Sequence, residues 1–243
     1  MSSQSLETLY EEVKGHMPDS LRENGWYLVT AASLVACGKP AELGNLYTYI
    51  VEKERPHLRA DPNPDGERAL MARFSDLLMK EWTLVGIPIV IGAIIALAKV
   101  ERPINPEDVK LSEKRQNIDI NGTITEQGTR MIEDMYRENL EPIFSTWGSM
   151  RKDFEWLEKT VIYGLFLADD SILSPVEAVL VSLPAIMCQG LGGATMWHLR
   201  GLRRLGCSVD EVEGVQRAVE AVATWAGRST AGWPRVTDIK DEI

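Results

Sequence analysis

One stretch of this chain, from Ser174 to Gly206, gathers three groups that could do chemistry. It reads S-P-V-E-A-V-L-V-S-L-P-A-I-M-C-Q-G-L-G-G-A-T-M-W-H-L-R-G-L-R-R-L-G and holds a carboxylate (Glu177), a thiol (Cys188) and an imidazole (His198). The whole chain has only three His and three Cys, so a thiol and an imidazole ten residues apart stand out. The helix neighbours of His198 on one face, Ala194, Thr195 and Leu202, are small or apolar. An imidazole among them is partly buried, with a pKa open to tuning for general acid–base work. Glu177 can orient His198 or relay its proton; it also suits the first turn of a helix behind Pro175, where a negative charge complements the dipole. Cys188 can act as a nucleophile or redox thiol, or simply pack as a small apolar residue. Cys37 and Cys207 read as structural or surface-placed.

Residues that could bind a substrate lie nearby. Trp197, Tyr163 and Trp147 can line an apolar pocket or belong to the core. Arg200 can fork onto a carboxylate, although it points about 200° away from His198 around a helix. Trp156 reads as a core or interface aromatic. Asp169-Asp170 reads as a turn, because no further ligands at metal spacing follow; no metal and no cofactor are expected.

Helices must position these groups. Apolar residues recur at helical spacing almost throughout, and no run alternates as a strand does, so the expected class is all-α. Helices are expected over 5–13 with Ser5 as cap, from Pro18 to Ala36 or Cys37, over 41–54, 67–82, 125–139 with Pro142 as the breaker, and 209–225. Trp82–Ala98 carries no charge. Pro88 divides it and leaves about 13 residues, roughly 20 Å of helix, against the ~20 residues a membrane span needs. It reads as a core helix buried on all sides.

The composition narrows the function classes. A net charge of −10 and a pI near 4.9 repel phosphate backbones and argue against nucleic-acid binding. Three scattered Cys form no disulfide framework and no zinc spacing. The N-terminus lacks the basic and apolar regions of a signal peptide; the expected location is the cytoplasm, away from membranes.

The chain also echoes itself. Cys37 is followed ten residues later by Tyr47, as Cys188 is by His198, and Trp26 and Glu177 stand eleven residues before each Cys. The reading is a first helical repeat over 1–100, a linker over 101–125 rich in Pro and charge, and a second repeat over 126–243 that carries the chemistry.

Glu177 and the run W-H-L-R-G-L-R-R-L-G-C-S-V-D-E-V-E-G-V resemble the carboxymuconolactone decarboxylase and alkylhydroperoxidase D-like family. His198, Arg200 and Gly201 match its H-x-R-G; Gly206, Ser208, Glu211 and Val212 match the downstream turn and helix start. In the first half, G-I-P-I-V-I-G-A-I-I-A-L resembles the family's G-x-P-x-(apolar)-A-L helix. The likeness covers roughly residues 20–100 and 145–230 and looks most like the fused two-copy members found in fungi. The peroxidase branch carries C-x-x-C before the His, where this chain has Leu191 and Ala194.

The resemblance implies a duplicated helical bundle that assembles as a homo-oligomer (dimer, trimer or hexamer). It implies a cofactor-independent acid–base enzyme for a small organic molecule, with His198 assisted by Glu177 in decarboxylation, isomerisation or ring rearrangement of a lactone or enolisable acid, in specialised metabolism. Two other readings stand beside it: a thiol-dependent hydroperoxide reductase using Cys188, and a non-catalytic helical assembly protein.

Overall fold

A computed structural model describes residues 5–103, 118–120 and 122–239. The fold is all-α, with no strand among the described residues. Most of the expected linker lies outside them.

The first half runs α1 (Leu6–His16), α2 (Asp19–Ala36), α3 (Glu42–Tyr49, continuing as a π-helical turn over Ile50–Glu54), α4 (Pro56–Ala60), α5 (Asp65–Glu81) and α6 (Ile87–Ala98). Ser5 caps α1 as expected, its hydroxyl accepting from the Thr8 amide at 3.2 Å. The second half runs α7 (Thr123–Tyr136), α8 (Leu140–Ser145), α9 (Arg151–Trp156, continuing as a π-helix over Leu157–Leu167), α10 (Pro175–Met187), α11 (Gly192–Arg204) and α12 (Val209–Trp225). A 3₁₀ turn over Val236–Ile239 packs on α11 and α12. Ser174 and Ser208 begin α10 and α12 with capping boxes, each closed by the Glu three residues on.

Helices from both halves share one core. α2 lies against α10 and α12, α1 against α12, and α5 against α10. α3 packs on α6, and α11 on α10 and α7. α7 and the 157–167 π-helix come into backbone contact. A Cβ on Gly128 would collide with the Lys159 carbonyl oxygen, so only glycine fits there. Lys80 also ties the halves together. It is fully buried, sits 3.3 Å from Asp76, and donates to the carbonyls of Phe166 at 3.1 Å and Asp169 at 2.8 Å.

Two expectations need correction. α6 is not buried on all sides: Val90, Ala93 and Leu97 face the core, while Ile87, Ile91, Ile94 and Ile95 are 42–50% exposed. α2, α3 and α5 pack on this helix and leave those isoleucines uncovered. Pro142 does not break α7, which ends earlier at Tyr136, before Arg137 takes a left-handed φ of 47°. Pro142 instead falls in the first turn of α8, where a missing amide costs no hydrogen bond. Of the two readings of Trp156, core or interface, its 54% exposure on this chain removes the core one.

Candidate active site

The expected acid–base pair is not assembled. Glu177 sits at the start of α10, where its carboxylate accepts from the Ser174 amide at 2.9 Å. Its other oxygen takes the Arg73 guanidinium from α5 in an ion pair. Arg73 also donates to the Tyr27 hydroxyl of α2 at 2.5 Å. Glu177 is therefore a clasp between α2, α5 and α10. His198 is buried, and its Nδ1 shares a hydrogen bond of 3.0 Å with the Ser182 hydroxyl of α10. Burial pushes its pKa down from 6.5 to about 4, so it is neutral at physiological pH.

The expected substrate-binding residues form two groups. Tyr163 donates to the Tyr136 hydroxyl at 3.1 Å, the Trp197 ring lies tilted 5.9 Å from that of Tyr136, and Arg200 lies over the Trp197 ring at 4.5 Å. Trp147 packs separately, 4.6 Å from Phe144 and 6.4 Å from Phe154. Among the described residues, no three His, Cys, Asp or Glu side chains come together to hold a metal.

The groups that do meet are two thiols. Cys37 is the residue at which α2 ends, and Cys188 the residue at which α10 ends. A glycine with left-handed backbone follows each: Gly38 at φ 77° directly after Cys37, and Gly190 at φ 74° two residues after Cys188. Such glycines stop a helix and satisfy its last carbonyls; here the Gly38 amide bonds to the Val35 carbonyl and the Gly190 amide to that of Met187. Both turns therefore place a thiol at a helix end.

The two helices run side by side in the same direction. Gly25 in α2 faces Leu180 in α10, Arg73 joins Tyr27 to Glu177, and further along Cys37 meets Cys188. Both cysteines are buried free thiols.

Their surroundings make them unequal. The Cys188 thiol, together with Arg228 and Lys39, holds the Cys37 pKa below the usual thiol range, against the effect of burial. This cationic neighbourhood offsets the negative end of the α2 dipole. The Cys37 thiol, burial and the Glu81 carboxyl push Cys188 well up, and the Ser33 hydroxyl offsets part of this. The surroundings therefore favour the thiolate at Cys37 over Cys188. Cys207 is buried elsewhere, its pKa raised by burial and by Glu211.

Sequence reasoning treated Cys37 as structural or surface-placed; it is buried and interacts with Cys188. The signal was in the echo, which set Cys37 and Cys188 at matching positions of two apolar helices. Glu81 was also missed. It falls on the apolar stripe of α5 with Leu70, Phe74, Leu77 and Leu78, where a carboxylate has to be buried.

No known family profile matches the chain, and no solved structure does. The chain is similar to a protein of Saccharomyces cerevisiae named Peroxisomal protein 2, at 24% identity over 85% of this chain and 90% of the relative. Among the described residues no helix is long and apolar enough to cross a membrane.

Proposed function

We propose that this chain is a dithiol hydroperoxide reductase, with Cys37 as the attacking thiol and Cys188 as the resolving thiol. The observation that carries the reading is the meeting of two cysteines distant in sequence, at the ends of two adjacent helices. The C-x-x-C of the resembled peroxidase branch supplies both thiols from one turn of helix; here the second thiol comes from the other half of the chain.

The Cys37 thiolate attacks the distal oxygen of a hydroperoxide. The O–O bond breaks, the departing alkoxide takes up a proton from a neighbouring acid or from water and leaves as an alcohol, and Cys37 becomes a sulfenic acid. Cys188 then attacks the Cys37 sulfur, water leaves, and the disulfide forms. A dithiol reductant opens the disulfide by exchange and is itself oxidised. The lowered Cys37 pKa favours the first step, because the thiolate is the nucleophile. Glu177 and His198 serve the scaffold in this reading, through Arg73 and Ser182.

The reading extends to compartment and assembly. The yeast relative's name places that protein in the peroxisome. Carried to this chain, it makes the peroxisome the proposed site of action in place of the cytoplasm, which a fluorescent fusion imaged beside a peroxisomal marker tests. The proposed homo-oligomer would use the exposed isoleucine face of α6, which carries no charge in a chain of net charge −10.

Hydroperoxide consumption with a dithiol reductant tests the catalytic part. Wild type turns over. Cys37→Ser loses activity, and Cys188→Ser accumulates a sulfenic acid on Cys37 that a dimedone probe captures. Equal consumption by all three proteins contradicts the reading.

A further inference from the structure

Beside the thiol pair lies a carboxyl group with no visible structural purpose. Glu81, in the last turn of α5, is fully buried, and neither of its oxygens has a hydrogen-bond partner. A buried carboxyl without a partner costs stability and is retained at a functional site more readily than in a plain core. Glu81 acts electrostatically on Cys188. The geometry of the chain ends explains why: the Gln189 side chain donates to the Leu84 carbonyl at 3.0 Å, which docks the end of α10 against the end of α5.

We propose that Glu81 is the proton reserve of the Cys37–Cys188 pair, giving up its carboxyl proton as the thiols are oxidised to a disulfide and recovering it as they are reduced. The inference rests on the hydroperoxide-reductase reading and deepens it. The chemistry requires such a proton. A pair held as one thiolate and one thiol carries a single proton, whereas forming an alcohol and a water from a hydroperoxide takes up two. Written in full, Cys37 thiolate, Cys188 thiol, Glu81 carboxylic acid and hydroperoxide give the disulfide, alcohol, water and Glu81 carboxylate. A dithiol reductant reverses the protein's side: its two thiol protons return to Cys188 and Glu81, Cys37 leaves as thiolate, and the reductant becomes a disulfide. Both steps balance in atoms and charge.

The groups around the pair support the assignment. Cys37 and Ser33 face it from α2 and Cys188 from α10, with Lys39 after α2 and Arg228 after α12. Of these neighbours, the two cations stabilise the thiolate and Ser33 is a neutral hydroxyl, so none is a carboxylic acid. Lys80, next to Glu81 in sequence, turns to Asp76 and to the carbonyls of Phe166 and Asp169. Burial raises the Glu81 carboxyl well above the ordinary carboxyl range, which favours its protonated form. Glu81 acts through Cys188 and needs no contact with the hydroperoxide.

The test is single-turnover disulfide formation with hydrogen peroxide, in wild type, Glu81→Gln and Glu81→Asp, across pH. The ratio of wild-type to variant rate cancels the ionisation of Cys37. The expected ratio for Glu81→Gln is roughly a hundredfold at mildly acidic pH and shrinks toward one as alkali removes the Glu81 proton. Glu81→Asp keeps a carboxyl and recovers part of the rate with the same pH trend. A purely structural role gives a ratio that does not change with pH, and that result overturns the assignment. Should the variants not fold, infrared spectroscopy of wild type decides: a carboxylic-acid carbonyl band must bleach at the rate of disulfide formation, and no bleaching overturns it. A wild type that forms no disulfide overturns the reductase reading and this assignment together. A disulfide formed with a pH-independent ratio overturns only the role of Glu81.

Discussion

Oxidising the Cys37–Cys188 pair would close a covalent loop of about 150 residues, and loop-closure entropy then predicts how much the fold gains. For a loop of that length the unfolded chain loses freedom worth about 5 kcal/mol at room temperature, and measured disulfides more commonly deliver about 2–4 kcal/mol. The link would join α2 and α10, which already pack side by side and whose thiols interact. In a chain of this size each kcal/mol moves the melting temperature by roughly 2–4 °C. Scanning calorimetry should therefore place the oxidised protein roughly 5–20 °C above the reduced one. Cys37→Ser and Cys188→Ser should melt at the same temperature with and without peroxide, and Cys207→Ser should keep the shift. Identical melting of oxidised and reduced wild type, or a peroxide-dependent shift in Cys37→Ser, would refute the pairing.

Other expectations follow from the surrounding structure. His198 has a folded pKa near 4, below its ordinary 6.5. The unfolded chain therefore binds the proton first, and stability falls as pH drops from about 6.5 toward 4, by up to about 3 kcal/mol. His198→Gln, which can keep the bond to Ser182, should flatten that slope in urea titrations; an unchanged slope would exclude His198 as its source. Arg73→Ala should cost about 2 kcal/mol by unpairing Glu177 and Tyr27, yet leave peroxide-driven disulfide formation intact; loss of the disulfide in a folded variant would bring the Arg73 clasp into the chemistry. Ile91→Asp on the exposed face of α6 should convert an oligomer to monomer in light scattering, and an unchanged mass would remove that face from the assembly.

Helix placement was legible because periodicity and caps are local. The 209–225 helix matches α12 residue for residue, and Ser5 caps α1 as its position implied. α6 shows the limit. Twelve residues without a charge say that the helix is apolar, but not which neighbours exist to cover it; α2, α3 and α5 reach it and still leave four isoleucines exposed. The π-helical turn after α3 and the short α4, which begins at Pro56, also escaped notice.

The site was legible in part. Glu177 and His198 were singled out from their types and spacing, but spacing along the chain cannot reveal Arg73 and Ser182, which claim them from other elements or faces. Cys188 was kept as a possible redox thiol or a packing residue, with no resolving thiol in the C-x-x-C positions. The partner lies 151 residues away, across the contact between α2 and α10, and only the echo between Cys37 and Cys188 pointed to it.

The most direct test of the account is peptide mapping by mass spectrometry after one equivalent of hydrogen peroxide, with free thiols alkylated first. The account predicts a single intramolecular link joining the peptides that carry Cys37 and Cys188, with Cys207 recovered alkylated. Recovery of Cys37 and Cys188 as free thiols, or a link through Cys207 instead, would contradict it.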